Sequence, residues 1–149
     1  MARTKSKAAV RLLTDAPPSE ASDGFWIHAF RKVGAYPPPT ERNGKRLVFV
    51  PTSAIDDVWQ RIKRAVEDGL LGGSAKVSTR RPNRNASDAD THVICVYTYN
   101  GDDEADVRRV RESLRILGIT HKLPWKSDEA TYSGRYSNRG HRRISRYYE

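Results

Sequence analysis

Apolar residues recur along this chain at two periods, one typical of helices and one typical of strands. Two stretches have helical spacing; Ser53 is the expected cap of the first, Gly69 ends it, and Gly118 ends the second. Their apolar positions are Ile55, Val58, Trp59, Ile62, Ala65 and Val66 in the first, and Val107, Val110, Leu114 and Leu117 in the second. Shorter runs rich in β-branched and aromatic residues predict strands at residues 25–30, 46–50, 75–79, 91–99 and 119–125.

The order of these elements predicts the fold class. Strands joined by short loops favour antiparallel pairing, and helices that follow pairs of strands can pack together on one face. We therefore predict an α+β fold with a curved, mostly antiparallel sheet of about six strands, backed by two main helices on its convex face. Residues 36–40 contain three successive prolines and are expected to form a stiff, extended loop.

Both ends of the chain are predicted to lie outside the folded domain. Residues 1–23 are basic and contain few apolar residues, so a flexible N-terminal tail is expected. Residues 24–136 form the predicted single α+β domain, and residues 137–149 form a predicted C-terminal tail rich in arginine and tyrosine. A chain of 149 residues suits one domain of ordinary size.

Composition adds a marked excess of positive charge. Lys and Arg total 27 against 18 Asp and Glu, for a net charge of +9. Such an excess favours polyanionic partners such as nucleic acid or nucleotide phosphates, with solubility alone as the alternative. No apolar run is long enough to cross a bilayer, so no membrane association is expected. The single cysteine, Cys95, is expected to be buried, which fits a cytoplasmic protein.

Two basic segments are candidate binding sites for phosphate. Arg80, Arg81 and Arg84 follow the third predicted strand, on which Lys76 lies, and guanidinium groups match phosphate oxygens in charge and geometry. The C-terminal segment interleaves arginines with aromatic residues, a pattern that suits stacking on bases while phosphates are neutralised. Its arginines are Arg135, Arg139, Arg142, Arg143 and Arg146. For both segments, a solvated basic loop or tail is the alternative.

The sequence lacks the usual signals of metal or cofactor chemistry. The four histidines are scattered without metal-ligand spacing, and no second cysteine assists them, so no metal site is expected. Neither a phosphate-cradling glycine-rich loop nor a nucleophile elbow is present, and no cofactor is expected.

Several segments, taken in order, resemble the Bles family, which is named from a basophilic-leukaemia-expressed protein. The segments are Gly44–Val50, Val58–Trp59, Ala75–Ser78, His92–Thr98 and Asp106–Val110. The resemblance runs from about Trp26 to Tyr136. It implies the fold of the cap-binding translation initiation factor 4E-like superfamily, a curved antiparallel sheet backed by helices.

The same resemblance implies roles for particular residues. Cap-binding factors hold a methylated guanine between aromatic rings, pair its edge with a glutamate, and bind its phosphates with Arg and Lys. The resemblance makes Tyr36 a stacking aromatic and Glu41 the candidate acid, and it puts the arginines after the third strand on the phosphate side. Arg46 departs from the pattern, because these families generally have tryptophan there.

Three functions are carried forward as alternatives. The favoured one is binding of a nucleotide, another phosphorylated small molecule or single-stranded RNA in the concave face of the sheet. Bles-like proteins are sometimes labelled phosphothreonine lyases, which implies Lys76 as base and His28 or His92 as acid in a β-elimination of phosphate. The third is a protein-interaction adaptor without a small-molecule ligand. The oligomeric state is left open.

Overall fold

The computed structural model of the protein describes residues 15–82, 90–128 and 145–149, without the side chains of Ser145 and Arg146. None of the helices in these ranges has the length and apolar character needed to span a membrane. The elements in chain order are β1 (Trp26–Phe30), β2 (Gly44–Pro51), α1 (Thr52–Glu67), β3 (Ser74–Ser78), β4 (Thr91–Thr98), α2 (Glu104–Ile116), β5 (Pro124–Ser127) and β6 (Ser145–Tyr148).

The strands form one curved, open sheet in the order β1-β3-β4-β2-β5-β6. Every neighbouring pair is antiparallel. The central strands β2 and β4 pair over their full length, from Gly44 opposite Thr98 to Pro51 opposite Thr91. The predicted α+β class with an antiparallel sheet is therefore confirmed.

Both helices pack on one face of this sheet. Alternate strand residues, among them Ile27, Val48 and Ile94, are fully buried in one cluster with Ile62 of α1 and Leu114 of α2. Burial of each such aliphatic side chain is worth roughly 1.5–3 kcal/mol, so this layer accounts for the attachment of the helices. The prediction that the two helices share a face is confirmed.

The opposite face of strands β1 to β5 is called the open face here. Because side chains alternate along a strand, its residues are those out of phase with the buried layer. They include Trp26, His28 and Phe30 on β1; Ser74, Lys76 and Ser78 on β3; Val93, Cys95 and Tyr97 on β4; Lys45, Leu47 and Phe49 on β2; and Lys126 on β5.

Helix α1 begins directly where β2 ends, which differs from the prediction. Pro51 is the N-cap residue and no side chain caps the helix, so the expected cap by Ser53 is wrong. Pro51 has φ −65° and ψ 152°, an extended conformation that continues the strand up to the first helical residue. Ser53 therefore falls inside the first turn, two residues after the N-cap position.

The last central strand lies later in the chain than the predicted 119–125. β5 pairs with β2 from Trp125 to Ser127. The buried guanidinium of Arg111 donates to the carbonyls of Ile119 and His121, at 3.0 and 2.7 Å. These acceptors are satisfied by a side chain of α2, so Ile119 and His121 are held by the helix and not by strand pairing.

Parts of both predicted tails contact the domain. Ser19 donates to the carboxylate of Asp56 through its backbone N–H and its hydroxyl, and Ala21 packs against the core. Residues 145–148 form β6 at the edge of the sheet, where the Tyr147 hydroxyl donates to the Gly101 carbonyl at 2.6 Å. Residues 1–14 and 129–144 lie outside the described residues, and the tail prediction for them stays a prediction.

Candidate ligand pocket on the open face

A pocket of about 230 Å³ lies at one end of the open face, beside the proline-rich loop that follows β1. Its floor includes His28, Lys76 and Tyr97, which come from the adjacent strands β1, β3 and β4. The wall residues are Tyr36, Pro37, Pro39, Asn43, Ser74 and Tyr99. The pocket thus combines aromatic and proline surfaces with an ammonium and an imidazole.

Lys76 and His28 are direct partners across the β1–β3 pair. The Lys76 ammonium lies 4.0 Å from the centre of the Trp26 ring, a cation–π contact, and the His28 ring stacks on Phe30 with centroids 6.0 Å apart. Burial lowers the pKa of Lys76. The floor therefore holds a partly desolvated cation, whose charge acts more strongly on a bound anion than it would in water.

Two further lysines extend the positive charge along the open face. Lys45 of β2 and Lys126 of β5 are cross-strand partners, and burial together with the nearby Lys45 lowers the pKa of Lys126. Asp128 accepts hydrogen bonds from the Lys45 ammonium and from the Asn43 side-chain amide. We refer to Lys45, Lys76 and Lys126 as the lysine cluster. Asp128 pairs with Lys45, whereas Lys76 lies in the pocket floor, where its positive charge attracts anions.

Cys95 lies within the lysine cluster, opposite Lys76 on β3 and Leu47 on β2. Its side chain is buried, as predicted. Burial raises the pKa of the Cys95 thiol, and the neighbouring lysines oppose that shift without overcoming it. Cys95 is therefore a protonated, shielded thiol that packs as a small hydrophobic residue.

Tyr36 is held firmly in the pocket wall. Its hydroxyl donates to Asp106 at 2.5 Å and accepts from the backbone N–H of Tyr99 at 3.2 Å. Burial, and then the bond to Asp106, raises the pKa of Tyr36. The Arg31 guanidinium lies over the ring at 4.9 Å, and Tyr99 meets it edge-on. Because Arg31 covers one face of the ring, Tyr36 can offer a ligand only its pocket side.

The predicted phosphate-binding arginines lie at the other end of β3. Arg81 stacks on Phe25, with the guanidinium carbon 4.5 Å from the ring centre, and both Arg80 and Arg81 are exposed. Arg81 lies five positions after Lys76, about 16 Å along an extended chain. Neither arginine lines the pocket, so the structure does not bring them together with Lys76. Arg84 lies outside the described residues.

Glu41 and His92 do not line the pocket either. Glu41 is exposed in the turn before β2. His92 is buried in phase with the helix-covered face, and its Nδ1 lies 2.8 Å from the Ser78 carbonyl oxygen. Of the two candidate acids, His28 alone shares the face of Lys76, because His92 falls on the other phase of its strand.

The predicted nucleic-acid-binding arginines of the C-terminal segment cannot be placed relative to the pocket. Arg135, Arg139, Arg142 and Arg143 lie outside the described residues. The side chain of Arg146 also lies outside the described part of the chain. Across the described ranges, no three His, Cys, Asp or Glu side chains are grouped so as to hold a metal ion.

Sequence reasoning missed Lys45, Lys126 and Asp106. Alternation along β2 was an available signal for Lys45, since the buried Val48 and Val50 put it on the opposite face. Lys126 joins it only through the pairing of β2 with β5. Asp106 gave no local signal, because its bond to Tyr36 spans 70 residues.

The fold and the pocket define an α+β protein with a basic, aromatic-walled site on the open face of its sheet. The chain matches the family model of basophilic leukemia-expressed protein Bles03 over residues 40–132, more than half of its length. It therefore belongs to the Bles03 family, and the resemblance to the Bles family is confirmed over these residues. The match runs from the turn before β2 past the end of β5, so the whole lysine cluster lies within it.

Proposed function

We propose that this protein binds a phosphorylated ligand in the pocket on the open face, with its phosphate held by Lys76 and the rest of the lysine cluster. A nucleotide, free or as a unit of single-stranded RNA, is the favoured ligand. The observation that carries the proposal is the partly desolvated Lys76 in the floor of an aromatic-walled pocket, with Lys45 and Lys126 on the same face of the sheet. Ammonium groups bind phosphate as compact point charges.

The shape of the pocket favours a small ligand. Tyr36, Tyr97 and Phe30 supply aromatic surface that a base could contact. The volume of about 230 Å³ lies below the roughly 300–1,000 Å³ of sites for drug-sized ligands. A single nucleotide unit or a phosphorylated side chain fits this size better than a larger molecule.

The finer parts of the sequence-based interpretation belong to this proposal. An initiation factor 4E-like fold is supported by the family resemblance and by an antiparallel sheet with helices on one face. A cytoplasmic location is supported by the single, shielded cysteine. Clasping of a cap between two rings is not proposed, because Arg31 covers one face of Tyr36 and Glu41 does not line the pocket.

Titration of the full chain with a fluorescent mononucleotide at low salt, followed by anisotropy, tests the proposal. Lys76→Met keeps an aliphatic stem against Trp26 and removes the charge. Hydrogen bonds to charged groups are worth about 1.5–3 kcal/mol, so we expect binding to weaken about 10- to 150-fold. Arg80→Met is the matched control and should bind as the wild type does. No binding, or an equal loss in both variants, contradicts the pocket assignment.

A phosphothreonine lyase is the second candidate, and the direct pairing of Lys76 with His28 favours it. The neutral Lys76 amine would take the Cα proton, and the electron pair of that C–H bond would form the Cα=Cβ double bond as the Cβ–O bond breaks. His28 would protonate the departing phosphate. The lowered pKa of Lys76 increases the fraction of free amine available for the first step.

Release of phosphate distinguishes the lyase from the binding protein. A lyase releases phosphate from a phosphothreonine peptide, and the release is lost in both Lys76→Met and His28→Gln. A protein that binds nucleotide and releases no phosphate from the peptide is a binder and not a lyase.

A further inference from the structure

We infer that the open face continues beyond the pocket as a stacking surface for single-stranded nucleic acid, formed by Trp26, Val93 and Phe49. This inference rests on the proposed nucleotide pocket and extends the ligand from one nucleotide to a strand. We call these three residues the apolar row.

Strand register places the apolar row straight across the sheet. Trp26 pairs with Ser78 and Phe49 pairs with Val93. The Ser78 hydroxyl accepts from the Val93 N–H at 3.0 Å, which joins the two pairs into one line. Trp26 and Phe49 are three strand spacings apart, about 14 Å. The row lies two residues along the strands from Lys76 and its partner, about 7 Å, so pocket floor and row form a continuous surface.

The apolar row presents its side chains to solvent. Phe49 is 55% exposed although β2 is an interior strand, and Trp26 and Val93 are half-buried. Leu47, between the row and the pocket end of β2, is half-buried as well. Contiguous apolar surface on a sheet is typical of a binding site. Aromatic side chains on an open sheet are also the usual platform on which proteins stack unpaired bases.

Charge identifies the occupant of this surface. The Lys76 ammonium sits against the Trp26 ring, and Lys45 and Lys126 follow at the pocket end. The open-face positions of β1 to β5 include these three cations and no carboxylate; Asp128, just beyond β5, pairs with Lys45. A partner that is anionic along its length and presents a flat ring at each step matches both features. Single-stranded nucleic acid has that chemistry.

Binding of the full chain to a mononucleotide and to labelled oligomers tests the inference. RNA and DNA oligomers of about six nucleotides lie within the roughly 4–16 nucleotides that single-strand-binding folds cover. We expect the oligomers to bind more tightly than the mononucleotide. Phe49→Ala should weaken oligomer binding about 5- to 150-fold, the loss of one base stacked on an aromatic ring, and leave mononucleotide binding unchanged.

Two further variants control this experiment. Phe49→Trp keeps an aromatic surface and should retain oligomer affinity. Ile116→Ala removes another exposed apolar side chain, 86% exposed on α2, and should change neither affinity.

The possible outcomes separate the inference from the proposed function. Oligomers that bind no more tightly than the mononucleotide, or that are insensitive to Phe49→Ala while Lys76→Met weakens them, rule out the stacking surface and leave the pocket standing. Binding of neither ligand overturns both. Self-association that is lost in Phe49→Ala, with oligomer affinity unchanged, assigns the apolar row to a protein contact and overturns the inference.

Discussion

The hydroxyl of Tyr36 lies between Asp106, to which it donates, and the backbone N–H of Tyr99, from which it accepts. These two bonds attach the proline-rich loop to α2 and to the end of β4. Arg31 adds a second restraint, because its side chain contacts the Tyr36 ring and donates to the Leu71 carbonyl at 2.8 Å. The pocket wall is thus ordered without a ligand, which reduces the entropy cost of ordering it on binding.

The residue-scale prediction concerns this hydroxyl. Tyr36→Phe keeps the ring and leaves the Tyr99 N–H without that acceptor and Asp106 without that donor. Leaving partly buried polar groups unsatisfied costs about 1–3 kcal/mol, and urea unfolding should show a loss in this range. Tyr148→Phe, at an exposed tyrosine, should change the free energy of unfolding by less than about 0.5 kcal/mol. Equal stabilities of the two variants would show that the Tyr36 bonds contribute nothing.

At the scale of elements, the β2–β5 pairing determines where two of the three lysines lie. Trp125 is fully buried at this junction and donates to the Thr98 hydroxyl at 2.9 Å. Gly44 is packed tightly beside it: an added Cβ would lie 2.3 Å from a Trp125 ring carbon and 2.5 Å from the Lys126 carbonyl oxygen. The second of these contacts is to backbone, so a side-chain rotation cannot relieve it.

Gly44→Ala should therefore destabilise the protein by about 1–3 kcal/mol, the usual cost of overpacking. It should also weaken nucleotide binding, since Lys45 and Lys126 lie on the displaced strands. Gly73→Ala is the matched control for stability alone, because Gly73 lines the pocket and its Cβ would lie 3.5 Å from the Tyr36 ring, an ordinary contact. Urea unfolding of both variants checks this prediction, and a Gly44→Ala protein as stable as Gly73→Ala contradicts it.

At the scale of the whole molecule, the net charge of +9 favours anionic ligands, and the number of phosphates neutralised sets how binding responds to salt. Phosphate contacts release counterions, so the affinity for a single strand falls with salt at a logarithmic slope of about −0.7 per phosphate neutralised. Because the charges of the lysine cluster lie on one face, we expect the salt dependence of binding to come from these lysines in particular.

Lys126→Gln should make the salt slope shallower by about 0.7 for an oligonucleotide. Arg108→Gln removes an exposed cation on α2 that pairs with Glu104 at 3.6 Å, and the slope should not change. Titrations at several salt concentrations measure both slopes. An identical change in the two variants would mean that net charge alone, and not the lysine cluster, governs the affinity.

Several features of the molecule could be predicted because they depend on local periodicity. The helical spacing of Ile55, Trp59 and Ile62 located α1, and runs rich in β-branched and aromatic residues located β2 and β4. The burial of Arg46 could not be predicted from local periodicity. Arginine is rarely fully buried, yet Arg46 is, donating to the Leu123 carbonyl at 2.9 Å and pairing with Glu149. Both partners come from segments whose position depends on the assembled sheet.

By itself, the sequence determined the class of elements, their order, the buried layer and the family, because hydrophobic periods and motif order are written along the chain. Only the tertiary structure decided which cations share a site. Arg80 and Arg81 follow Lys76 by four and five residues in the sequence, but the extended chain carries them away from it. Lys45 and Lys126 are remote from Lys76 along the chain, but the strand order β1-β3-β4-β2-β5-β6 places all three lysines on one face. Strand order depends on long-range pairing, and no local pattern specifies it.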